Sequence, residues 1–216
     1  MIEPAAVIAH VEEVRARIVT AGGDPATVSL VAATKGFGAD AVRAALAAGI
    51  DEIGESYAQE LIAKAAEVDG PRWHFLGRLQ RNKVRSLAPL VSVWQSVDRV
   101  ELGDEIAKRA PGASVLVQVN VSGEPQKGGC PPAAAAALVE ALRDRGLDVQ
   151  GLMAIGPTGP PEAARAPFRA LAAQARTLDL HHLSIGMTED LEVAVQEGAT
   201  MIRIGRALFG PRPPRA

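Results

Sequence analysis

A lysine that ends a short apolar run is the first residue of this chain that could do covalent chemistry. The run reads SLVAATKGFG over residues 29–38, and Lys35 is followed at once by Gly36. A lysine at the end of a strand is commonly a solvated surface charge. In an apolar, partly desolvated position, however, the amine has a lowered pKa, becomes nucleophilic and can form a Schiff base with a carbonyl compound.

A second group of candidate residues lies near the end of the chain, in the segments SIGMTED and RIGRALFG. Hydroxyls before a predicted helix and glycine-flanked N–H groups come from five residues: Ser184, Gly186, Thr188, Gly205 and Arg206. Such groups are typical of phosphate sites. Thr188 alone would read as a helix cap. Together the five predict a phosphate site, which beside a reactive lysine suits a phosphorylated carbonyl compound.

Eight short β-branched runs, each followed by an Ala- and Leu-rich helical pattern, must position these residues. The predicted strands cover residues 30–35, 51–55, 72–77, 91–97, 114–122, 149–156, 182–187 and 201–207. Strict alternation of strands and helices predicts a parallel sheet, and eight such units predict a (β/α)8 TIM barrel, an α/β fold. An extra helix over residues 5–20 precedes the first strand. No linker interrupts the alternation, so residues 1–216 are predicted to form one domain.

The open, doubly wound sheet is the alternative to the barrel. Its dinucleotide-binding form carries G-x-G-x-x-G after the first strand, and the segment KGFGADAV lacks the third glycine. In a barrel the active site lies at the C-terminal ends of the strands. Lys35, which ends the first strand, would then lie next to the predicted phosphate site at the end of the eighth. That neighbourhood favours the reactive reading of Lys35.

Composition excludes several classes of partner. The formal net charge is −2, which gives no electrostatic footprint for nucleic acid or an anionic membrane. The one cysteine, Cys130, excludes an intramolecular disulfide and fits a reducing cytosol. Acidic residues interrupt the apolar pattern of the N-terminal helix, so we predict neither a signal peptide nor a membrane span there. We therefore expect a cytoplasmic protein without a nucleic-acid or membrane partner.

Six motifs occur in a fixed order from about Leu30 to Gly210: ATKGFG, GESYAQE, WHFLGRLQRNK, QVNVSGEPQKGG, GLMAIGP and LSIGMTEDLEVAVQEGATMIRIGRALFG. This series resembles the pyridoxal phosphate homeostasis protein family, the single-domain relatives of the alanine racemase N-terminal barrel. The resemblance implies that Lys35 carries pyridoxal 5′-phosphate (PLP) as a Schiff base and that Arg203 faces the pyridine nitrogen. It also implies a contact to the cofactor ring from Ser56, which stands where the family usually has asparagine. The phosphate contacts that it implies come from Ser184, Thr188, Gly205 and Arg206.

An arginine at the pyridine nitrogen limits the chemistry that such a cofactor can do. The guanidinium of Arg203 stays protonated, so the ring nitrogen stays neutral and PLP is a weaker electron sink. The resemblance implies no second domain of the kind that racemases carry, and the only tyrosine is Tyr57. We therefore expect a non-catalytic, monomeric protein that buffers PLP and delivers it to apo PLP-dependent enzymes. The alternatives are an amino-acid racemase and a Schiff-base aldolase acting on a phosphorylated sugar through Lys35 without PLP.

Three further residues stay open at this point. His74 follows Trp73 near a strand end and is either an acid/base group near the pocket or a histidine hydrogen-bonded in the barrel wall. Lys127 lies in the Gly-rich segment EPQKGG, and one interpretation gives it a part in accepting or releasing the cofactor. Cys130 has no histidine nearby in sequence, and we expect a loop residue rather than a nucleophile.

Overall fold

The computed structural model describes residues 1–212 of the chain. Its strands are β1 (Ser29–Ala33), β2 (Glu52–Glu55), β3 (Arg72–Phe75), β4 (Val91–Val97), β5 (Ser114–Gln118), β6 (Asp148–Met153), β7 (His182–Ser184) and β8 (Met201–Ile204). Its α-helices are α1 (Pro4–Thr20), α2 (Ala39–Ala47), α3 (Ala58–Ala65), α4 (Arg81–Leu87), α5 (Val100–Arg109), α6 (Ala135–Arg143), α7 (Arg165–Thr177), α8 (Leu191–Gln196) and α9 (Arg206–Phe209). Three short 3₁₀ helices cover Pro125–Lys127, Pro132–Ala134 and Pro161–Ala164.

The eight strands close into a parallel barrel in the order in which they occur in the chain. Closure is made by β8 against β1, with Val31 opposite Arg203 and Ala32 opposite Ile204. The predicted (β/α)8 barrel is thereby confirmed. Because neighbouring residues in a parallel register point to the same face, this pairing turns Arg203 into the barrel interior together with Val31.

Apolar side chains fill both sides of the barrel wall. A small inner cluster consists of Val31, Val93, Leu116, Met153 and Met201. A much larger cluster packs the outer face of the strands against the surrounding helices. Such burial is the main force that holds a fold of this kind together, and it makes the wall a rigid support for groups at the strand ends.

The predicted N-terminal helix is confirmed as α1, which packs against α2, α8 and α9. Its buried residues recur at helical spacing: Val7, Val11, Val14 and Ile18. Pro4 suits the first helical position because a proline lacks only an N–H that would be unpaired there anyway. His10 adds a polar contact, with Nδ1 at 2.8 Å from the carbonyl oxygen of Leu208. The helix therefore joins the first part of the chain to the segments next to the end of β8.

Most strands end earlier than the apolar pattern predicts. The fifth strand was expected over 114–122 and stops at Gln118, and the seventh was expected over 182–187 and stops at Ser184. Residues past these points leave the sheet to form the loops at the barrel mouth, as Gly186 does with a φ of 89°. That residues 1–216 form one domain stays a prediction, and residues 213–216 lie outside the part that the structure describes.

Candidate functional site

A cavity of about 520 Å³ opens at the C-terminal ends of the strands. This is the end of a (β/α)8 barrel that carries active sites. Its charged lining consists of four basic side chains and one acidic one: Lys35, Arg203, Arg206, Arg212 and Glu189. The uncharged lining includes Phe37, Ser56, Leu76, Met153, Ile155, Met187, Thr188 and Gly205. The cavity is therefore suited to an anionic ligand with an apolar body.

Lys35 is held in the cavity wall by the residues on either side of it. The N–H of Thr34 donates to the carbonyl oxygen of Gly54 at 2.9 Å, which continues the pairing of β1 with β2. On the other side, the N–H of Gly36 donates to Oε2 of Glu60 at 2.8 Å. Burial lowers the pKa of the Lys35 amine, and the charges of Arg212 and Arg203 lower it further. A larger share of the amine is therefore neutral and nucleophilic than in a solvated lysine.

Beneath Lys35 lies a group of polar residues that we call the lysine-side cluster: Thr34, Glu55, Glu60 and Lys64. Glu55 and Lys64 form a buried ion pair, with side chains 0% and 5% exposed. The Lys64 amine also donates to the carbonyl oxygen of Thr34 at 2.8 Å, and the second Glu55 oxygen accepts from the N–H of Ser56 at 2.8 Å. The cluster therefore fixes the ends of β1 and β2 relative to each other.

Arg203 is fixed at the cavity floor by neutral acceptors. Its Nη1 donates to the carbonyl oxygen and the hydroxyl of Ser184, each at 2.7 Å, and its Nη2 donates to the carbonyl oxygen of Ala154 at 2.8 Å. Burial lowers the pKa of this guanidinium to about 10, against the opposing charge of Asp190. Arg203 is therefore still protonated at neutral pH, and no carboxylate within residues 1–212 forms an ion pair with it.

A line of hydrogen bonds runs from Arg203 through the barrel interior. We call it the arginine-side network, and it consists of Arg203, Ser184, Gln95, His74 and Glu52. The Ser184 hydroxyl donates to Oε1 of Gln95 at 2.7 Å, and Nε2 of Gln95 lies 2.5 Å from Nδ1 of His74. Nε2 of His74 then meets the carboxylate of Glu52. A neutral imidazole with its proton on Nε2 satisfies both contacts. Of the two readings of His74, the structure supports the hydrogen-bonded residue of the barrel interior.

The loops after β7 and β8 meet at the other side of the cavity. The hydroxyl of Thr188 accepts a hydrogen bond from the N–H of Ala207 at 3.3 Å, which joins the two loops. A Cβ atom on Gly205 would lie 3.0 Å from the carbonyl oxygen of Ala33, so a side chain there would crowd β1. Within residues 1–212 the backbone N–H groups of Thr188, Gly205 and Arg206 have no acceptor. Converging unpaired N–H groups form a site that suits an anion.

The cavity brings together six of the eight predicted site residues: Lys35, Ser56, Thr188, Arg203, Gly205 and Arg206. Ser56 is reached closely by the loop after β3, since a Cβ atom on Gly77 would lie 1.9 Å from its carbonyl oxygen. The other two lie behind the wall. Ser184 is fully buried and holds Arg203, and Gly186 forms a turn packed against Ala194.

Two residues of consequence are not apparent from the sequence motifs. Lys64 is the first, and its signal is a charged residue three positions after Leu61, on the buried face of α3. Arg212 is the second, and no sequence pattern marks it. It lies in the segment after α9 and reaches the cavity only because the chain turns back there.

The remaining candidates have structural surroundings. Lys127 donates to Glu124 at 2.6 Å and to the carbonyl oxygen of Gly156, which ties the loop after β5 to that after β6. Burial raises the pKa of the Cys130 thiol to about 11, so the thiol is protonated at neutral pH. Residues 1–212 contain no group of three His, Cys, Asp or Glu placed to hold a metal ion. Nor does any helix in that range have the length and apolarity to span a membrane.

Comparison with known proteins connects this geometry to a family. The family model of the alanine racemase N-terminal domain matches residues 2–213. The pyridoxal phosphate homeostasis protein of Pseudomonas aeruginosa is 45% identical over 205 residues, which cover 89% of this chain and 88% of that protein. The protein of the same name from Deinococcus radiodurans is 39% identical over 211 residues, covering 94% of this chain and 98% of the relative.

A solved structure agrees with the sequence relatives. PipY of Synechococcus elongatus, solved with PLP bound, superposes with a TM-score of 0.79 at 34% identity, covering 91% of this chain and 100% of PipY. The fold, the family model and the near full-length relatives therefore agree. The chain belongs to the alanine racemase N-terminal domain family and, with these relatives, to the pyridoxal phosphate homeostasis proteins.

Proposed function

We propose that this protein is a PLP carrier that holds the cofactor covalently on Lys35 and takes part in cytoplasmic PLP homeostasis. One observation carries the proposal. A partly buried amine with a lowered pKa shares a cavity with the unpaired N–H groups of Thr188, Gly205 and Arg206. PLP, when bound, supplies an aldehyde that forms a Schiff base with a primary amine.

The residues present fit this cofactor group by group. The N–H groups of Thr188, Gly205 and Arg206, with the Thr188 hydroxyl, provide donors for a phosphate dianion. Arg203 provides a fixed positive charge at the floor, and Ser56 provides a hydroxyl at the wall. Ser184 acts one layer below, because its hydroxyl and carbonyl oxygens orient Arg203. The apolar lining excludes water around the ring of a bound aromatic cofactor.

Cofactor carriage is supported over turnover by the side chains that face the cavity. Racemisation needs a proton donor and a proton acceptor on opposite faces of the bound amino acid. Within residues 1–212 the titratable lining, arginines apart, consists of Lys35 and Glu189. The Glu189 side chain is 70% exposed and pairs with Arg206 at 2.9 Å. The relatives are likewise named as homeostasis proteins.

The test of covalent holding is borohydride reduction of the PLP-loaded protein, followed by mapping of the labelled peptide. We expect a visible absorption band that reduction bleaches, with the label on Lys35. In Lys35→Ala the band and the label should be lost while the fold survives. Lys108→Ala, which removes an exposed lysine of α5, is the matched control and should load normally. Covalent PLP retained in Lys35→Ala would contradict the assignment.

Carriage and turnover are separated by two assays on the loaded protein. Mixing with an apo PLP-dependent enzyme should restore the activity of that enzyme as PLP is delivered. Incubation with L-alanine should give no D-alanine at an enzymatic rate. Formation of D-alanine at such a rate would replace carriage with the racemase alternative. A protein that stays colourless after PLP addition would return Lys35 to the aldolase reading.

A further inference from the structure

Arg212 reaches the cavity from the segment that follows α9. After Gly210 and Pro211 the chain turns back toward the end of β1, and Arg212 lines the cavity mouth. Its Cδ lies 3.3 Å from the point that a Cβ atom on Gly36 would occupy. Its side chain therefore packs across the residue that directly follows Lys35, and the missing side chain of Gly36 leaves the room for it.

The guanidinium of Arg212 stands apart from the other arginines of the cavity. Arg203 donates to Ser184 and Ala154, and Arg206 pairs with Glu189. For Arg212, by contrast, residues 1–212 provide neither a hydrogen-bond acceptor nor an ion-pair partner. It is exposed at the mouth, so it can meet a ligand that arrives from solvent.

Arg212 also lies electrostatically close to the Lys35 amine. After burial, its charge is the largest influence that lowers the pKa of Lys35, ahead of that of Arg203. Both residues line the same cavity, and the Arg212 side chain packs against the residue that follows Lys35, so an anion bound by Arg212 would lie on the Lys35 side of the cavity. The donors proposed for the cofactor phosphate are on different loops, at Thr188 and Gly205. The position thus suits a second anionic group that sits next to an amine.

We propose that Arg212 is a carboxylate-binding residue that makes α-amino acids the ligands that exchange with Lys35 on the bound cofactor. The proposal rests on the proposed function. In an α-amino acid one carbon separates the amine from the carboxylate. An amino acid whose amine replaces that of Lys35 therefore brings its carboxylate into the cavity that Arg212 lines. Arginine binds carboxylates through paired, charge-assisted hydrogen bonds.

The exchange of Lys35 for the amine of an amino acid on PLP needs no further reactant. The lone pair of the incoming amine attacks the imine carbon that joins Lys35 to PLP, and a new C–N bond forms. The bond between that carbon and Nζ of Lys35 then breaks as the C=N bond to the incoming amine forms, and the two protons given up by the incoming amine end on Nζ. Nothing is oxidised or reduced. A neutral, partly desolvated Lys35 is what leaves and returns in this step.

The experiment compares amines with and without a carboxylate on the PLP-loaded protein. L-Alanine and ethylamine are added separately, and the absorption spectrum reports the exchange constant of each. The ratio of the two constants cancels general effects of a substitution on the cofactor. In Arg212→Gln we expect the alanine-to-ethylamine ratio to fall about tenfold or more, which corresponds to about 1.4 kcal/mol. Arg78→Gln, an exposed arginine of the loop after β3 outside the cavity lining, should keep the wild-type ratio.

Each other outcome overturns the proposal in a distinct way. An unchanged ratio in Arg212→Gln shows that the carboxylate is not bound there. An equal fall for both amines, with weaker PLP binding, makes Arg212 a contact of the cofactor phosphate instead. Borohydride mapping of every variant comes first, because a missing label on Lys35 in the wild type removes the proposed function as well. With the label present, a failure of the ratio test falls on Arg212 alone.

Discussion

The two buried polar groups under the cavity treat charge in opposite ways. In the lysine-side cluster, the Lys64 amine is paired with Glu55 and lies 3.4 Å from Glu60, so its charge is matched within the cluster. In the arginine-side network, Arg203 donates to two carbonyl oxygens and a hydroxyl, none of which carries charge. The carboxylate of that network belongs to Glu52 and lies at its far end, beyond Ser184, Gln95 and His74.

The difference indicates two tasks. The buried ion pair of Glu55 and Lys64 holds the ends of β1 and β2 in place, and the Glu55 charge opposes only in part the burial and the arginine charges that lower the pKa of Lys35. A buried guanidinium with neutral acceptors is hydrogen-bonded but not neutralised, so its positive charge is directed at the cavity. The lysine-side cluster thus positions the strand ends that carry Lys35, and the arginine-side network directs a positive charge at an anionic ligand.

The largest expected effect on stability comes from breaking the buried ion pair. In Lys64→Met the Glu55 carboxylate keeps its burial and loses its counterion. We expect the free energy of unfolding of the apo protein to fall by about 3–5 kcal/mol, measured by urea denaturation. Adding Glu55→Leu to this variant should recover much of the loss, because no uncompensated charge is then left behind.

The control for this variant is an exposed ion pair. Arg15 pairs with Glu12 on α1 at 2.9 Å, with side chains 43% and 66% exposed. Arg15→Met should lower the free energy of unfolding by less than about 1 kcal/mol. If the double substitution at Glu55 and Lys64 costs the sum of the two single ones, the pair is not coupled and the contrast with the arginine side disappears.

The matching change on the other side is Arg203→Met, which should have its main effect on the ligand. Unfolding free energy should fall by about 1–3 kcal/mol, because the carbonyl oxygens of Ser184 and Ala154 lose their donor. The affinity for PLP, followed by its absorption band, should fall at least about tenfold, since a charged donor facing the cavity is removed. In Lys64→Met the folded fraction should instead keep most of its PLP affinity. An Arg203→Met protein that binds PLP normally would contradict this division of tasks.

The barrel could be predicted from the chain because its elements are set by local pattern. Short apolar segments alternate with helical patterns between turns, so all eight strands were predicted in the right order, although β3 and β7 contain no β-branched residue. The ends of β2 and β4 were predicted correctly, whereas the other six strand ends were placed too late, at the barrel mouth. There the same apolar residues line a cavity rather than continue a sheet, as Ile155 does after β6.

Only those site residues that follow directly from the order of the strands could be predicted from the sequence. Lys35 and Thr188 follow strand ends, so the fold alone brings them to one mouth. The role of Lys64 depends on contact with Thr34, 30 positions away, and on burial that a single sequence does not display. A phosphate contact from Ser184 stays a prediction, and the bonds of its hydroxyl to Gln95 and Arg203 depend on long-range pairing that no motif displays. Arg212 depends on a chain reversal after α9 that no local pattern marks.

The smallest expected effect tests whether the phosphate-side loops depend on the N-terminal helix. Arg17 of α1 donates to Glu192 at 2.6 and 2.9 Å and to the carbonyl oxygen of Thr188 at 2.8 Å. Because its side chain is 33% exposed, Arg17→Gln should cost less than about 1 kcal/mol of stability. The loop that carries Thr188 would nevertheless lose a fixed point, so PLP should dissociate a few-fold faster, measured by its transfer to an apo enzyme. Arg15 lies on the same helix, and within residues 1–212 its side chain bonds to Glu12 alone, so Arg15→Gln should leave the rate unchanged. An unchanged rate in Arg17→Gln would mean that α1 packs the barrel without influencing the cavity, and that the Thr188 loop is held from the β8 side alone.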